Sequence, residues 1–112
     1  MTVIDGYTSN VLATFDVTLN TPSGKTITVN YTTQNDTAIA PGDYTTRSGI
    51  LTFLPGQTAM TVNVSIIGSL TPESQQRFFL NLSGAFNASL GDNQGIGTIL
   101  KYIQALPIIF KN

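Results

Sequence analysis

Apolar and polar residues alternate one by one along most of this chain, and that pattern restricts its fold more than any other feature. Val11, Ala13, Phe15, Val17 and Leu19 interleave with Leu12, Thr14, Asp16 and Thr18. A period of two sends successive side chains to opposite faces of a strand, so one face is buried and the other is wet. The same alternation runs through Ile27, Val29 and Tyr31, through Leu51 and Phe53, through Met60, Val62, Val64 and Ile66, and through Phe78, Leu80 and Leu82. A last regular stretch covers 96–102. Turn chemistry separates these runs: Thr21-Pro22-Ser23-Gly24, Pro41-Gly42-Asp43, Leu54-Pro55-Gly56 and Gly91 to Gly95. No segment has helical periodicity, and Thr and Val outweigh Ala, Glu and Lys. About seven short strands at this spacing predict an all-β, seven-stranded immunoglobulin-like β-sandwich. Phe15, Val29, Tyr31, Leu51, Phe53, Val62, Val64, Phe78, Leu80 and Leu82 should then point between the sheets.

The chain has 112 residues, the size of one domain with one core. Charged residues make up only 10%, against about 25% in typical soluble domains. The surface must therefore be built from Thr, Ser, Asn and Gln, a composition common in extracellular β-proteins. Net charge is −1 with no basic cluster, which argues against a nucleic-acid partner. No apolar run approaches the ~18 residues of a membrane span. The first residues lack the charged and apolar regions of a signal peptide, so either a signal has been removed or the chain is part of a longer protein.

Cys and His are both absent, which removes disulfides, thiolate chemistry and the usual general base. No Ser–His or Cys–His pair, Gly-rich phosphate loop or metal-ligand spacing is present, and no two carboxylates are marked as facing each other in a cleft. An enzyme is not expected. Asn-x-Ser/Thr triplets occur at Asn30, Asn35, Asn63, Asn81 and Asn87. Glycan attachment is one use for them. Ladders of amide and hydroxyl groups on the faces opposite the core are the simpler use for Asn30, Asn63 and Asn81.

Two stretches go beyond pattern. One runs Thr37-Ala38-Ile39-Ala40-Pro41-Gly42-Asp43-Tyr44-Thr45 and on through Ser48-Gly49-Ile50-Leu51-Thr52-Phe53-Leu54-Pro55-Gly56. The other joins Val62-Asn63-Val64-Ser65-Ile66-Ile67-Gly68 to Phe78-Phe79-Leu80-Asn81-Leu82. With Asp5-Gly6 and Ala13 to Leu19 at the front, the chain resembles the Calx-beta domain family over 2–102. The resemblance implies a seven-stranded sandwich of the kind found in sodium–calcium exchangers, an integrin β subunit and bacterial surface proteins. In calcium-binding members, carboxylates gather at one end from an N-terminal acid, a loop Asp, an acidic loop and a final Asp-Asp pair.

On that resemblance Asp5, Asp43 and Glu73 are the remnant metal ligands. Ser69, Gln75 and Gln76 stand where members carry acids, Arg77 adds a positive charge, and Tyr102 and Ile103 replace the Asp-Asp pair. Calcium takes six to eight oxygens, several of them anionic. The site therefore reads as degenerate, with no cofactor expected and calcium as the alternative. Each acid also has a structural use: Asp43 bracing its loop, Asp5 solvating the first turn, Glu73 pairing with Arg77.

The chain divides into a Calx-beta-like sandwich, 1–102, and an apolar C-terminal tail, 103–112. The tail carries Leu106, Ile108, Ile109 and Phe110 as candidate interaction residues. It either folds back as an extra strand or is donated to a neighbour by β-augmentation, and Pro107 suits an edge or a strand start. The resulting expectation is a non-catalytic extracellular or cell-surface module for adhesion or structure. Its partners are other protein modules or a second copy, through sheet edges. The alternatives are a self-assembling filament subunit and a calcium-binding regulatory module.

Overall fold

The computed structural model describes residues 1–4, 9–68 and 75–100. Seven strands follow in order: β1 Thr2–Ile4, β2 Val11–Thr18, β3 Ile27–Asn35, β4 Ser48–Phe53, β5 Ala59–Ile66, β6 Gln76–Phe86 and β7 Gln94–Leu100. They form a five-stranded sheet in the order β1-β7-β6-β3-β4 and a two-stranded sheet β2-β5. Every pairing is antiparallel except β1 on β7. This is the all-β, seven-stranded, immunoglobulin-like sandwich expected from the alternation. The sequence pattern did not mark β1, because three residues are too few to show a period.

The alternation faces the core as expected. Phe15, Val29, Tyr31, Leu51, Phe53, Val62, Val64, Phe78 and Leu80 are buried between the sheets. Leu82 faces the same way but is only half-buried, as are Val17 and Leu19, because the sandwich is open at their end. The register therefore holds across β2 to β6, where a slip of one residue would have turned every side chain over.

Two core residues come from outside the strands. Ala38 and Tyr44 lie in the β3–β4 loop, and both are fully buried. The Tyr44 ring stacks on Phe78 at 4.4 Å between centroids, and Phe78 meets Phe15 edge-on at 5.7 Å. The rings fit because β7 turns Gly97 toward them. A Cβ at Gly97 would lie 2.6 Å from Phe78 Cε1 and 3.0 Å from Phe15 Cζ. In β6 the register against β3 shifts between Thr28 and Asn30, and Gly84 takes φ 61° where the extra residue is absorbed. That left-handed backbone is what a bulge asks of glycine.

The outer faces carry the polar ladders that the Asn positions suggested. Thr14 Oγ1 donates to Asn63 Oδ1 at 2.7 Å across β2 and β5. Asn81 links β3, β6 and β7: its amide donates to Gln34 Oε1, and its Oδ1 accepts from Gln94 Nε2 at 2.9 Å.

Candidate functional site

One end of the sandwich collects most of the segments singled out by sequence. Ile4 pairs with Leu100, Val11 with Ile66, and Gln76 with Ile99, so β1, β2, β5, β6 and β7 all begin or end there. The β3–β4 loop is tied to the same end. Tyr44 bridges Ile66, the Ile67 N–H donates to Asp43 O at 3.0 Å, and the Ala38 N–H donates to Arg77 O at 2.7 Å. Arg77 N–H in turn donates to Thr37 Oγ1 at 2.7 Å, and Gly68 N–H donates to Asn10 Oδ1 at 3.1 Å.

The loop owes its shape to three side chains. Asp43 Oδ2 accepts the Ile39 N–H at 2.9 Å, while the Asp43 N–H donates back to Ile39 O at 2.9 Å. Asn35 Oδ1 accepts both the Ala40 N–H at 2.9 Å and the Tyr44 hydroxyl at 2.6 Å. Tyr44 is the anchor, with its ring in the core and its hydroxyl holding the loop. Burial pushes its phenol above the ordinary range, a shift partly opposed by a side-chain hydrogen bond with Thr33. It is therefore the neutral hydroxyl that donates to Asn35. Asp43 braces its own loop, as its place before Tyr44 suggested.

Of the three sequence-predicted ligands, Asp43 is placed at this end. Asp5 and Glu73 lie outside the described residues, as do Ser69, Tyr102, Ile103 and the tail residues Leu106, Ile108, Ile109 and Phe110. Among the described residues no three acidic or metal-ligating side chains come together. A cation site at this end therefore needs donors beyond them.

Two residues at this end have surroundings that the sequence does not show. Arg77 turns its guanidinium outward to Asp36, with Nη2 and Nε each 3.0 Å from Oδ2, and lies over the Phe79 ring. Its positive charge is matched by Asp36. Gln76 shares the inward side of β6 with Phe78 and Leu80, and its Oε1 is buried with no hydrogen-bond partner among the described residues. A buried amide oxygen left unpaired costs about 1–3 kcal/mol. Gln76 stands where family members carry an acid, yet a carbonyl oxygen is itself a hard-cation ligand. Its placement two residues before Phe78 was the signal available in the sequence.

The Calx-beta domain family model matches residues 6–100. Sodium/calcium exchanger 2 of Rattus norvegicus, and likewise of Homo sapiens, is 35% identical over 71 residues, which is 63% of this chain. The chain spans 7% of the length of these relatives. Among solved structures, calcium binding domain CBD12 of CALX1.1 superposes with TM-score 0.81 at 22% identity, covering 90% of this chain and 42% of that one. The apo-form Calx CBD1 domain superposes with TM-score 0.75 at 23% identity, covering 91% of this chain and 89% of that one. These matches correct the extracellular or cell-surface placement expected from composition, since the relatives are exchangers and calcium-binding domains. A sparsely charged Thr- and Asn-rich surface serves solubility in any compartment and carries no address. With its family model matched over nearly the whole described length, the chain belongs to the Calx-beta domain family.

Proposed function

We propose that this chain is a non-catalytic, calcium-responsive regulatory module of a larger protein that works inside the cell. The observation that carries this reading is the buried Oε1 of Gln76, which has no hydrogen-bond partner among the described residues, at the end where Asp43 is held. Acceptor oxygens with no donor to satisfy them are what a hard cation requires, and calcium accepts amide carbonyls alongside carboxylates. Asp43 and Gln76 would hold the ion together with Asp5 and Glu73. Arg77 does not oppose it, because Asp36 matches that charge on the outer face.

The relatives' names support calcium over the adhesive role expected from composition. Bound calcium would supply a divalent charge that ties the loop after β1, the β3–β4 loop and the loop before β6 to one another. That tie is the regulatory event: segments flanking six strand ends become one rigid cap. With few anionic ligands, affinity belongs in the weak range of about 10⁻⁴–10⁻³ M.

Melting the protein with and without calcium tests this. At a free calcium concentration of about 100 times Kd, binding adds about 2.7 kcal/mol to stability, a rise of several degrees in Tm. The Asp43→Asn variant, which keeps an acceptor for Ile39, should fold and lose most of that rise. An unchanged Tm at 20-fold higher calcium than the weak range (on the order of 20 mM) contradicts the proposal.

A further inference from the structure

Two open sheets present four lateral edges, and each is a row of backbone groups on which another strand can form. Among the described residues, three of these edges are guarded. β1 is only three residues long. The outer edge of β5 is covered by the β3–β4 loop and the start of β4. There Ser65 O accepts the Thr45 N–H at 2.9 Å, the Ile67 N–H donates to Asp43 O at 3.0 Å, and Asn63 O accepts from Arg47 Nη1 at 2.6 Å. β2 carries the exposed Asp16 along its length. β4 is different. It ends the five-stranded sheet, with no strand beyond it among the described residues. Residues 48–54 contain neither a charge nor a proline, the two devices that most often keep an edge from pairing. Ile50 and Leu54 are 65% and 56% exposed there.

The Thr33 N–H donates to Arg47 O at 2.9 Å, which makes 33 and 47 a hydrogen-bonded pair. Such pairs alternate along an antiparallel ladder, so Gly49, Leu51 and Phe53 bond to Tyr31, Val29 and Ile27. The backbone groups of Ser48, Ile50 and Thr52 therefore point away from β3, along the free edge. We infer that a second copy of this chain pairs with this edge, β4 against β4, antiparallel about a two-fold axis at Ile50. The symmetry of the edge selects a second copy. With Ile50 opposite its own counterpart, Ile50 bonds to Ile50 while Ser48 and Thr52 bond to each other, so all three outward residues are satisfied. A shift of one pair to either side would use only two of them within β4. The side chains match as well. The exposed Ile50 meets an identical apolar side chain, flanked on both sides by a Ser–Thr pair. Because the strand is uncharged, self-pairing sets no like charges against each other. The contact is small, below the roughly 1,200 Å² of standard interfaces, so the dimer is weak, with a Kd on the order of 0.1–1 mM.

Sedimentation of the full chain at concentrations up to about 1 mM should show a reversible monomer–dimer equilibrium. Ile50→Lys, which places a charge on the axis, should raise the dissociation constant at least tenfold. Leu12→Lys, an equally exposed apolar position on β2, should leave it unchanged. Dilute samples that melt close to the parent establish that both variants fold. The register is read by single cysteines, since the protein has none of its own. Hydrogen-bonded partners lie about 5.5 Å apart between Cα atoms, within disulfide range. Under mild oxidation Ile50→Cys should therefore link two chains about tenfold faster than Ser48→Cys or Thr52→Cys, each of which stands about 13 Å along the strand from its own counterpart. An equimolar mixture of Ser48→Cys and Thr52→Cys should link as fast as Ile50→Cys alone. A dimer that Ile50→Lys leaves intact, or equal linking by all three single cysteines, would overturn the inference. A monomer throughout the range would also overturn it, and would leave the edge to an extended segment of another protein.

Discussion

Replacing Phe78 with alanine should lower the unfolding free energy by about 3–5 kcal/mol, the loss seen for deep aromatic truncations. The ring is fully buried, stacks on Tyr44 and meets Phe15 edge-on. Its removal leaves a cavity at the point where the β3–β4 loop is pinned to the two sheets. Stability for a domain of this size is about 5–15 kcal/mol, so the variant would sit near the limit of folding. Urea unfolding followed by fluorescence of the tyrosines reads the difference as a lower midpoint. Phe79→Ala is the comparison, because Phe79 is half-buried on the outer face beneath Arg77. It should cost much less, about 1 kcal/mol. A larger loss at Phe79 than at Phe78 would mean that β6 is one residue out of register.

The second large effect comes from adding a single carbon. Gly97→Ala should destabilise by about 1–3 kcal/mol, although alanine in a strand normally improves on glycine. The new Cβ would lie 2.6 Å and 2.7 Å from two atoms of the Phe78 ring and 3.0 Å from Phe15. Neither ring can swing aside, since both are buried against the opposite sheet. Gly24→Ala and Gly91→Ala are the controls, with no atom within 4 Å of the added carbon. Those changes should be neutral or stabilising by up to about 1 kcal/mol. If Gly97→Ala behaves like the controls, then β7 does not press on the aromatic cluster as described.

The strands were legible in the sequence because each buried face is written at period two over eight or more residues in β2, β3, β5 and β6. β1 was not legible, since its three residues owe their pairing to β7 rather than to any pattern of their own. Tyr44 and Ala38 were missed as core residues for a related reason. A loop has no period, and only the stacking on Phe78 and the bond to Ala38 bring those positions inside.

At the candidate site, the resemblance identified Asp43, which the structure holds by its bond to Ile39. The pairing of Arg77 with Asp36 could not be read from sequence, because 41 positions separate them and only the β3–β6 neighbourhood brings them together. Nor could the unpaired oxygen of Gln76. That a glutamine oxygen is buried without a donor among the described residues shows only once the fold is known.

Isothermal titration of the full chain with calcium tests the central claim most directly. The account predicts saturable binding with Kd in the range of about 10⁻⁴–10⁻³ M, weak or absent binding of magnesium, and loss of the signal in Asp43→Asn. A flat titration up to about ten times the upper limit of that range, with the protein folded throughout, would contradict it.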